Sequence, residues 1–544
     1  MTTPGTAPAS RPEPAAPASP DPRFAPAASG PEPAAPARSG GTPASAARST
    51  ALCVVALGAL VAALVATVTR GGTLGPLDRM GPLRAWYLVD AGLFAVAVTL
   101  LRRVGDPRRT AALVLAGSVA LALTGLLAPP RTSDDAYRYL WDGQVQASGT
   151  SPYRYTPTDP ALAAQRAADP ALFPVGGHCQ GWDLHRAGAV CTHLNRPTVH
   201  TIYPPVAEIW FLGLYEAGHL TGGHGVRPAQ AGGALLAVLT AAALLLVLRR
   251  NRAPLHRAAW WGWFPGVALW AVNDAHVDTL GVLLTVCGLA AASPGPARPA
   301  LARARSARSG TVLGGVLLGA ATATKLIPAL TVPGALSGTL RPGRRPTVRD
   351  LVLPATAVAA FLLCYLPYVL ASGLGVIGYL PGYLQEEGYD QGTRFGLLTL
   401  LDLPPRLLPV AVAAILLAAV LAVLRYGDPD APWRGSLLVF GTALFLAAPG
   451  YPWYSLLVVA LVALDGRWEW LGLSAAPAIM VAAGSGAQQP VYAAALCLVL
   501  AGTATRRLLR TATLLSAAPT QSPSPSVPLP APAGPTRIRT ASSR

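Results

Sequence analysis

Apolar residues run along this chain in long uncharged blocks, not in the alternation of a half-buried strand or the single stripe of a surface helix. The blocks lie near 51–69, 86–101, 111–129, 230–248, 258–272, 276–292, 310–324, 326–340, 350–371, 406–424, 435–449, 453–464, 470–484 and 490–504. A bilayer is crossed by about 20 apolar residues in helical form, because a helix satisfies its own backbone in lipid. The blocks therefore predict an all-α polytopic membrane protein, a bundle of roughly 12–14 transmembrane helices. Several are too short to cross untilted. Pro265, Pro328 and Pro333 fall inside two of them and predict discontinuous helices of the kind that line cavities.

Residues 1–48 and 517–544 are mostly Pro, Ala, Ser and Gly with scattered charges, a composition that buries too little apolar surface to offset chain entropy. Both are expected to be disordered cytoplasmic tails flanking a membrane domain over 49–516. No cleaved signal peptide is expected, since the first apolar block starts too deep in the chain. Arg102-Arg103 and Arg108-Arg109 separate the second and third blocks, and the positive-inside bias puts that connection in the cytoplasm. The third block then delivers 131–202 to the outer face as the first large external loop, with 372–396 as the second. The stretch 203–220 is rich in aromatics but carries Glu208, Glu216 and His219. Counted as a crossing, it would put Arg249-Arg250-Asn251-Arg252 and every later basic cluster outside, so it is read as re-entrant or interfacial. Clusters at 298–308, 341–349 and 506–510 then all stay inside.

Composition sharpens the class. The 544 residues are 52% apolar and 12% charged, with a mean hydropathy of +0.42 and a formal charge of +17. In a soluble protein that charge would point to nucleic acid, but here the basic residues sit in short loops between apolar blocks and act as topology signals. The lipid bilayer is the expected partner, and nucleic acid is not. Cys53, Cys287, Cys364 and Cys497 lie inside apolar blocks, as small apolar filler. Cys179 and Cys191 share the loop placed outside, where disulfides persist. A bridge between them is expected; metal binding with His178, His185 or His193 is the alternative, and its spacing matches no familiar zinc pattern. No Walker loop, Rossmann glycine signature or Gly-x-Ser-x-Gly elbow occurs, which counts against nucleotide-driven transport and serine hydrolysis.

One stretch breaks the apolar monotony most sharply: Arg131-Thr132-Ser133-Asp134-Asp135-Ala136-Tyr137-Arg138-Tyr139-Leu140-Trp141-Asp142-Gly143. If a helix starts near Asp134, Ser133 is its expected N-cap and the acidic pair complements the helix dipole. Arg138 is four residues from both Asp134 and Asp142, so these three form one salt-linked stripe. Asp135 is left out. Its own neighbour one turn on is Tyr139, which donates a hydrogen bond without neutralising charge. An unpaired carboxylate at a membrane face is a candidate general base; the alternative is an acidic pair that only caps the helix.

Downstream come Ser151-Pro152-Tyr153-Arg154-Tyr155-Thr156-Pro157 and Asn195-Arg196-Pro197-Thr198-Val199-His200-Thr201-Ile202-Tyr203-Pro204-Pro205. With the Asp-x-Tyr-Arg-Tyr-x-Trp-Asp-Gly pattern over 135–143, the chain resembles the integral-membrane glycosyltransferases of the C superfamily (GT-C). The resemblance is closest to the actinobacterial polyprenol-phosphate-mannose-dependent α-1,6-mannosyltransferases and the related glycosyltransferase family 87. It runs from about 50 to 505 and excludes the tails, and the 135–143 and 203–205 motifs carry most of it. It implies a GT-C-like bundle, a lipid-phosphate sugar donor, an external active site and an acidic residue in the first large external loop. That residue maps to Asp135, with Asp134 beside it as the second catalytic candidate, and Tyr203 joins the candidate substrate contacts.

Asn273-Asp274-Ala275-His276-Val277-Asp278 lies between two apolar blocks, where four polar side chains are costly unless used. Substrate or donor contact by His276 and Asp278, a polar helix cap, and a metal site are the three readings; mixed ligands without a fourth make metal the weakest. The family resembled also tends to carry an Asn or Asp and a His at such a turn. Lys325 is a lone cation in an apolar stretch, at a cost of roughly 2.5–3.5 kcal/mol on insertion scales. It calls for an anionic partner such as a lipid phosphate, or for snorkelling to the interface. Arg394, near Glu386, Glu387 and Asp390, is a phosphate contact or a loop salt bridge. Pro452-Trp453-Tyr454 resembles a late motif of the same enzymes, so Trp453 and Tyr454 face the sugar or the polyprenyl chain, or else belong to an interfacial aromatic belt.

The expected reaction is transfer of a sugar, with mannose expected, from a polyprenyl-phosphate donor to a glycan or glycolipid hydroxyl at the outer face of the plasma membrane. Asp135 takes the acceptor proton, and Lys325, with Arg138 or Arg394, neutralises the leaving phosphate. Such a single displacement inverts the anomeric centre. No cofactor is expected and a divalent metal is not favoured. The alternative is a polytopic transporter or lipid-linked-sugar flippase; it accounts for Lys325 and the broken helices but gives the long external loop no role.

Overall fold

The computed structural model describes residues 43–73, 81–176, 179–223, 225–293, 300–389, 391–392 and 394–516. Most of the expected tails, 1–42 and 517–544, lies outside the described residues, as do His178 and Asp390. In chain order the helices are α1 (Pro43–Arg70), α2 (Gly81–Leu101), α3 (Pro107–Thr124), α4 (Asp135–Ala147), α5 (Ala163–Ala168) and α6 (Pro205–Thr221). They continue as α7 (Arg227–Arg250), α8 (Ala259–Gly262), α9 (Asp278–Ala292), α10 (Ala300–Thr322), α11 (Val332–Ala335) and α12 (Val348–Ser372). The last are α13 (Leu380–Glu386), α14 (Leu408–Tyr426), α15 (Pro432–Ala447), α16 (Leu456–Asp465), α17 (Leu471–Ala483) and α18 (Gln488–Ser516). Among the described residues the only sheet is the antiparallel hairpin β1 (His185–Ala187) with β2 (Val190–Thr192). The all-α class holds, and α1 starts inside the segment expected to be tail.

Seven helices among the described residues are long and apolar enough to cross a membrane, or eight if one bent pair counts as a span. That is fewer than the roughly 12–14 expected from apolar blocks of near-spanning length. The reason is local. The block 258–272 folds as α8 and a π-helical turn, Val267–Asn273, around Pro265; the block 326–340 folds as a 3-10 turn, Ile327–Thr331, and α11 around Pro328 and Pro333. Proline lacks the amide hydrogen that a continuous helix needs. Ser309–Thr322, Pro432–Ala447 and Pro452–Asp465 are apolar but shorter.

Packing separates a core helix from outer ones. Every residue from Leu456 to Leu464 on α16 is buried, and α16 touches α7, α8, α9, α15 and α17. A helix apolar all round belongs inside a bundle or in lipid. The opposite case is α12: among its described residues only Leu353 and Ala357 near its start are buried, and Leu362, Leu363 and Leu370 are exposed. An apolar face of that extent is stable against hydrocarbon and not against water.

The bent pair is the hinge of the site. The Val267–Asn273 turn and α9 meet at 111°, and Ala275 between them sits at φ 55°, a left-handed conformation costly for a residue with a Cβ. Freed backbone carbonyls find side chains. Asn273 Nδ2 donates to the carbonyls of Gly125, Ala128 and Pro129 at 2.9–3.1 Å. Gln230 Nε2 donates to Ala128 and Asn273 at 2.9 and 2.8 Å. The break is thereby tied to the end of α3 and the start of α7.

The bundle has two chemically different ends. At one, Arg102 lies over the Trp260 ring, Arg257 donates to the Asp465 carbonyl, and Arg434 pairs with Asp428 and Asp465. Arg250 donates to Ala290, and Arg341 to Gly427. At the other end α3 finishes, α7 starts, and the polar segments 131–204 and 372–396 close over the bundle. α6 runs beside α4: its first turn is bonded to Gln146, and Gly218 in its last turn lies against Pro228 of α7. Both of its ends are therefore at this second end.

Candidate active site

The site grows from the start of α4. Asp134 occupies the N-cap position without a side-chain capping bond, and Ser133 Oγ accepts from the Asp135 amide at 3.2 Å. Ser133 is therefore not the N-cap expected from sequence: it lies one position earlier and its hydroxyl accepts from the first amide of the helix. Tyr139 stacks on Phe211 of α6 with ring centroids 4.3 Å apart, and Trp141 packs on Phe173 with Leu162, Leu172 and Leu194. α4 is held between α6 and its own loop, which fixes where its first residues point.

Asp134 and Asp135 point into the same space. One amide group joins them: Asn195 Nδ2 donates to Asp134 Oδ1 at 2.7 Å and to Asp135 Oδ1 at 2.6 Å. Asp135 Oδ2 accepts from the Tyr203 hydroxyl at 3.2 Å and lies 3.6 Å from His276 Nδ1. Asp134 Oδ2 is 2.5 Å from His185 Nε2. The expected Asp134–Arg138 pair does not form. Arg138 Nε instead reaches both oxygens of Asp142, at 2.9 and 3.1 Å, with both side chains buried. Asp135 is free of a cation in direct contact, as the helical spacing predicts, but it is not free of hydrogen bonds. Burial, then the charge of Asp134, push its carboxyl above the ordinary value, and the Asn195 bond opposes them. The His185 imidazole is pushed up by its bond to Asp134.

The two polar segments meet across this space. Arg196 pairs with Glu386, Nη2 to Oε1 at 2.6 Å and Nε to Oε2 at 3.0 Å. The Tyr379 amide donates to the Thr201 carbonyl at 3.2 Å. Cys179 and Cys191 are joined by a disulfide. Beneath lies a cavity of about 1400 Å³ lined by Asp134, Asp135, His185, Arg196, Lys325 and Trp453, with Arg138, Tyr203 and Tyr454 also at its wall.

The other candidates divide. Lys325 Nζ is 2.7 Å from Asp278 Oδ2 and 4.4 Å from the Tyr454 ring centroid, so its partner is a protein carboxylate, and it neither snorkels nor stands alone. His276 stacks on Trp453 at 3.8 Å, and its Nε2 has no hydrogen-bond partner among the described residues. Asp274 accepts from the Arg131 and Thr132 amides at 3.0 Å and from the Thr132 hydroxyl. Asn273 and Asp274 are therefore the polar cap, while His276 is buried against Trp453 and Asp278 is paired with Lys325, both behind the residues that line the cavity. Arg394 pairs with Glu387 at 3.0 Å and is not at the cavity wall; the loop salt bridge is the outcome. Among the described residues no group of three or more His, Cys, Asp or Glu is arranged for a metal.

From sequence, Asn195 and Arg196 carry no assigned role, and His185 enters only as an alternative metal ligand beside Cys179 and Cys191. Their contacts span 51 to 190 positions, beyond any helical or strand period. Asn195-Arg196 did stand in a quoted motif, and that was the one available signal. The chain matches no protein-family model, no curated protein and no solved structure, so its function has to be argued from these residues.

Proposed function

We propose that this protein is an integral-membrane glycosyltransferase of the GT-C kind, held in the plasma membrane by the seven or eight long apolar helices among its described residues. It transfers a sugar, mannose in the first instance, from a polyprenyl phosphate to a glycan or glycolipid hydroxyl at the outer face. The observation that carries this reading is Asp135: a carboxylate with 18% of its side chain exposed, without a cation in contact, at the wall of a large cavity that also holds Lys325. A general base needs both access and a raised proton affinity. In the reaction the acceptor oxygen bonds to the anomeric carbon as the bond from that carbon to the phosphate oxygen breaks. The electron pair leaves with the phosphate, and the acceptor proton passes to Asp135. The anomeric centre inverts, so a β-linked donor gives an α product.

Lys325 carries three donors and spends one on Asp278, leaving two for the leaving phosphate. Arg196 lines the cavity beside Arg138 and is the more exposed of the two, so it joins Arg138 as a supporting cation even though each is paired with a carboxylate, whereas Arg394 is off the wall and paired with Glu387. Leu326, Ile327, Leu384 and Trp453 give the cavity an apolar wall suited to a polyprenyl chain. No metal enters this scheme.

Membranes carrying Asp135→Asn, incubated with radiolabelled polyprenyl-phosphate mannose and an oligomannoside acceptor, should lose at least about 100-fold in transfer rate. Full activity would remove Asp135 from the mechanism. The broken helix at the cavity also fits a lipid-linked-sugar flippase. That reading requires purified protein in vesicles to move the labelled lipid between leaflets with no acceptor present, and no glycan product when acceptor is added.

A further inference from the structure

Asp134 has no step in the proposed displacement, yet it is held more tightly than Asp135. His185 lies 2.5 Å from one of its oxygens, and Asn195 is 2.7 Å from the other. His185 is carried by β1, whose partner β2 is pinned by Thr192 Oγ1 and the His193 amide to the Leu172 carbonyl at 2.9 and 3.0 Å. Arg186 is directly opposite Cys191 in the register, and Cys191 is bridged to Cys179. A disulfide-closed hairpin therefore sets one imidazole against one carboxylate.

We infer that His185 and Asn195 are positioning residues that control the ionisation of Asp135 through Asp134. His185, bearing its proton, offsets the charge of Asp134. Asn195, with one amide hydrogen for each carboxylate, locks Asp135 beside that compensated pair. Calling Asp135 a base rests on the proposed function; the electrostatic coupling does not.

Lys325 and Arg196 act on Asp135 through space, and His185 is the cation in direct contact with Asp134. From its own helix come Asp134 and Tyr139; from the segment before α6, Asn195, Arg196 and Tyr203; from the bent pair, His276 and Asp278; and from beyond α10, Lys325. Lys325 is paired with Asp278 and Arg196 with Glu386, so neither forms an ion pair with the acidic couple. His185 itself is faced by Asp134, Asp183 and Arg196. The negative charge of Asp134 opposes loss of the Asp135 proton. With His185 charged that opposition is reduced and the proton leaves more readily. Without it, the uncompensated charge of Asp134 opposes ionisation of Asp135, and the proton stays to higher pH.

Dicyclohexylcarbodiimide reacts with protonated carboxyls and reads this directly. The full-length protein in detergent is labelled across a pH series, and modification of Asp135 is quantified by peptide mass spectrometry. His185→Gln, which keeps a side-chain donor, should raise the labelling midpoint by about one pH unit, and Asn195→Ala should raise it as well. Asp134→Asn should lower it. In the double variant, His185→Gln should add nothing to Asp134→Asn, and His185→Lys should return the midpoint towards wild type. An unshifted His185→Gln, or a shift of equal size with Asp134 already replaced, overturns the inference. Transfer assays fail separately: full activity of Asp135→Asn with these labelling shifts intact removes the base and keeps the coupling.

Discussion

Asp134 and Asp135 are neighbours in sequence with the same side chain, and their surroundings give them different chemistry. Asp135 has a hydroxyl, an amide and open cavity; Asp134 has an imidazole and the same amide. Because Asp135 must be ionised to accept a proton, and its carboxyl is held above the ordinary value of 3.8, transfer should fail as pH falls through that raised value. The acid limb of a kcat/KM profile should therefore lie above the range of a solvated aspartate, and a limb at or below 3.8 would contradict it. Lys325 makes a second case. It is paired with Asp278, with 16% and 10% of the side chains exposed, and removing one partner of such a pair strands the other charge. Lys325→Ala should cost about 3–5 kcal/mol, read as a lowered Tm in detergent, and adding Asp278→Asn should recover much of it. Helical spacing found Arg138–Asp142 and set Asp135 apart, because those relations are local. It also drew Arg138 to Asp134, because spacing alone does not reveal that His185 and Asn195 arrive from 51 and 61 residues away.

The elements explain why the acidic motif ends in glycine. A Cβ on Gly143 would lie 2.4 Å from the Phe211 carbonyl oxygen, so α4 and α6 approach to a distance that only glycine permits. Gly143→Ala should force the two helices apart, at about 1–3 kcal/mol, and move Asp135 relative to Tyr203. A lowered Tm together with weakened transfer is the expected result; an unchanged Tm would mean the helices do not pack this closely. The β1–β2 hairpin makes a different demand. It is too small to be stable unaided, and the Cys179–Cys191 bridge and the Leu172 anchor hold it against α4. Apolar blocks announced the long helices because length and lack of charge are one-dimensional properties. The breaks were foreshadowed by proline, but their geometry depends on Asn273 and Gln230 capping carbonyls of other segments, which no single block contains.

At the scale of the whole molecule, the decisive asymmetry lies between the two ends of the bundle. Basic loops collect around Arg102, Arg250, Arg257, Arg341 and Arg434 at one end, while the carboxylates and the cavity lie at the other. α7 links the ends: Gln230 near its start is bonded to the broken turn, and Arg250 at its finish is bonded to Ala290. Its 24 residues span about 36 Å, enough to cross a bilayer. α6, in contrast, starts and finishes beside the site, so it need not reverse the sidedness of every later basic cluster. On the proposed function, the positive-inside bias predicts the arginine end in the cytoplasm and the cavity outside, the side on which a lipid-linked donor is expected. The four free cysteines can be replaced by alanine and single cysteines introduced at Ser148, exposed after α4, and Arg249, exposed at the far end of α7. A membrane-impermeant maleimide should label Ser148→Cys in intact cells and Arg249→Cys only after permeabilisation. The reverse pattern would put the cavity in the cytoplasm and remove polyprenyl phosphate sugars as the expected donor. Equal labelling of both would mean that α7 does not cross, and the two-ended architecture itself would fall.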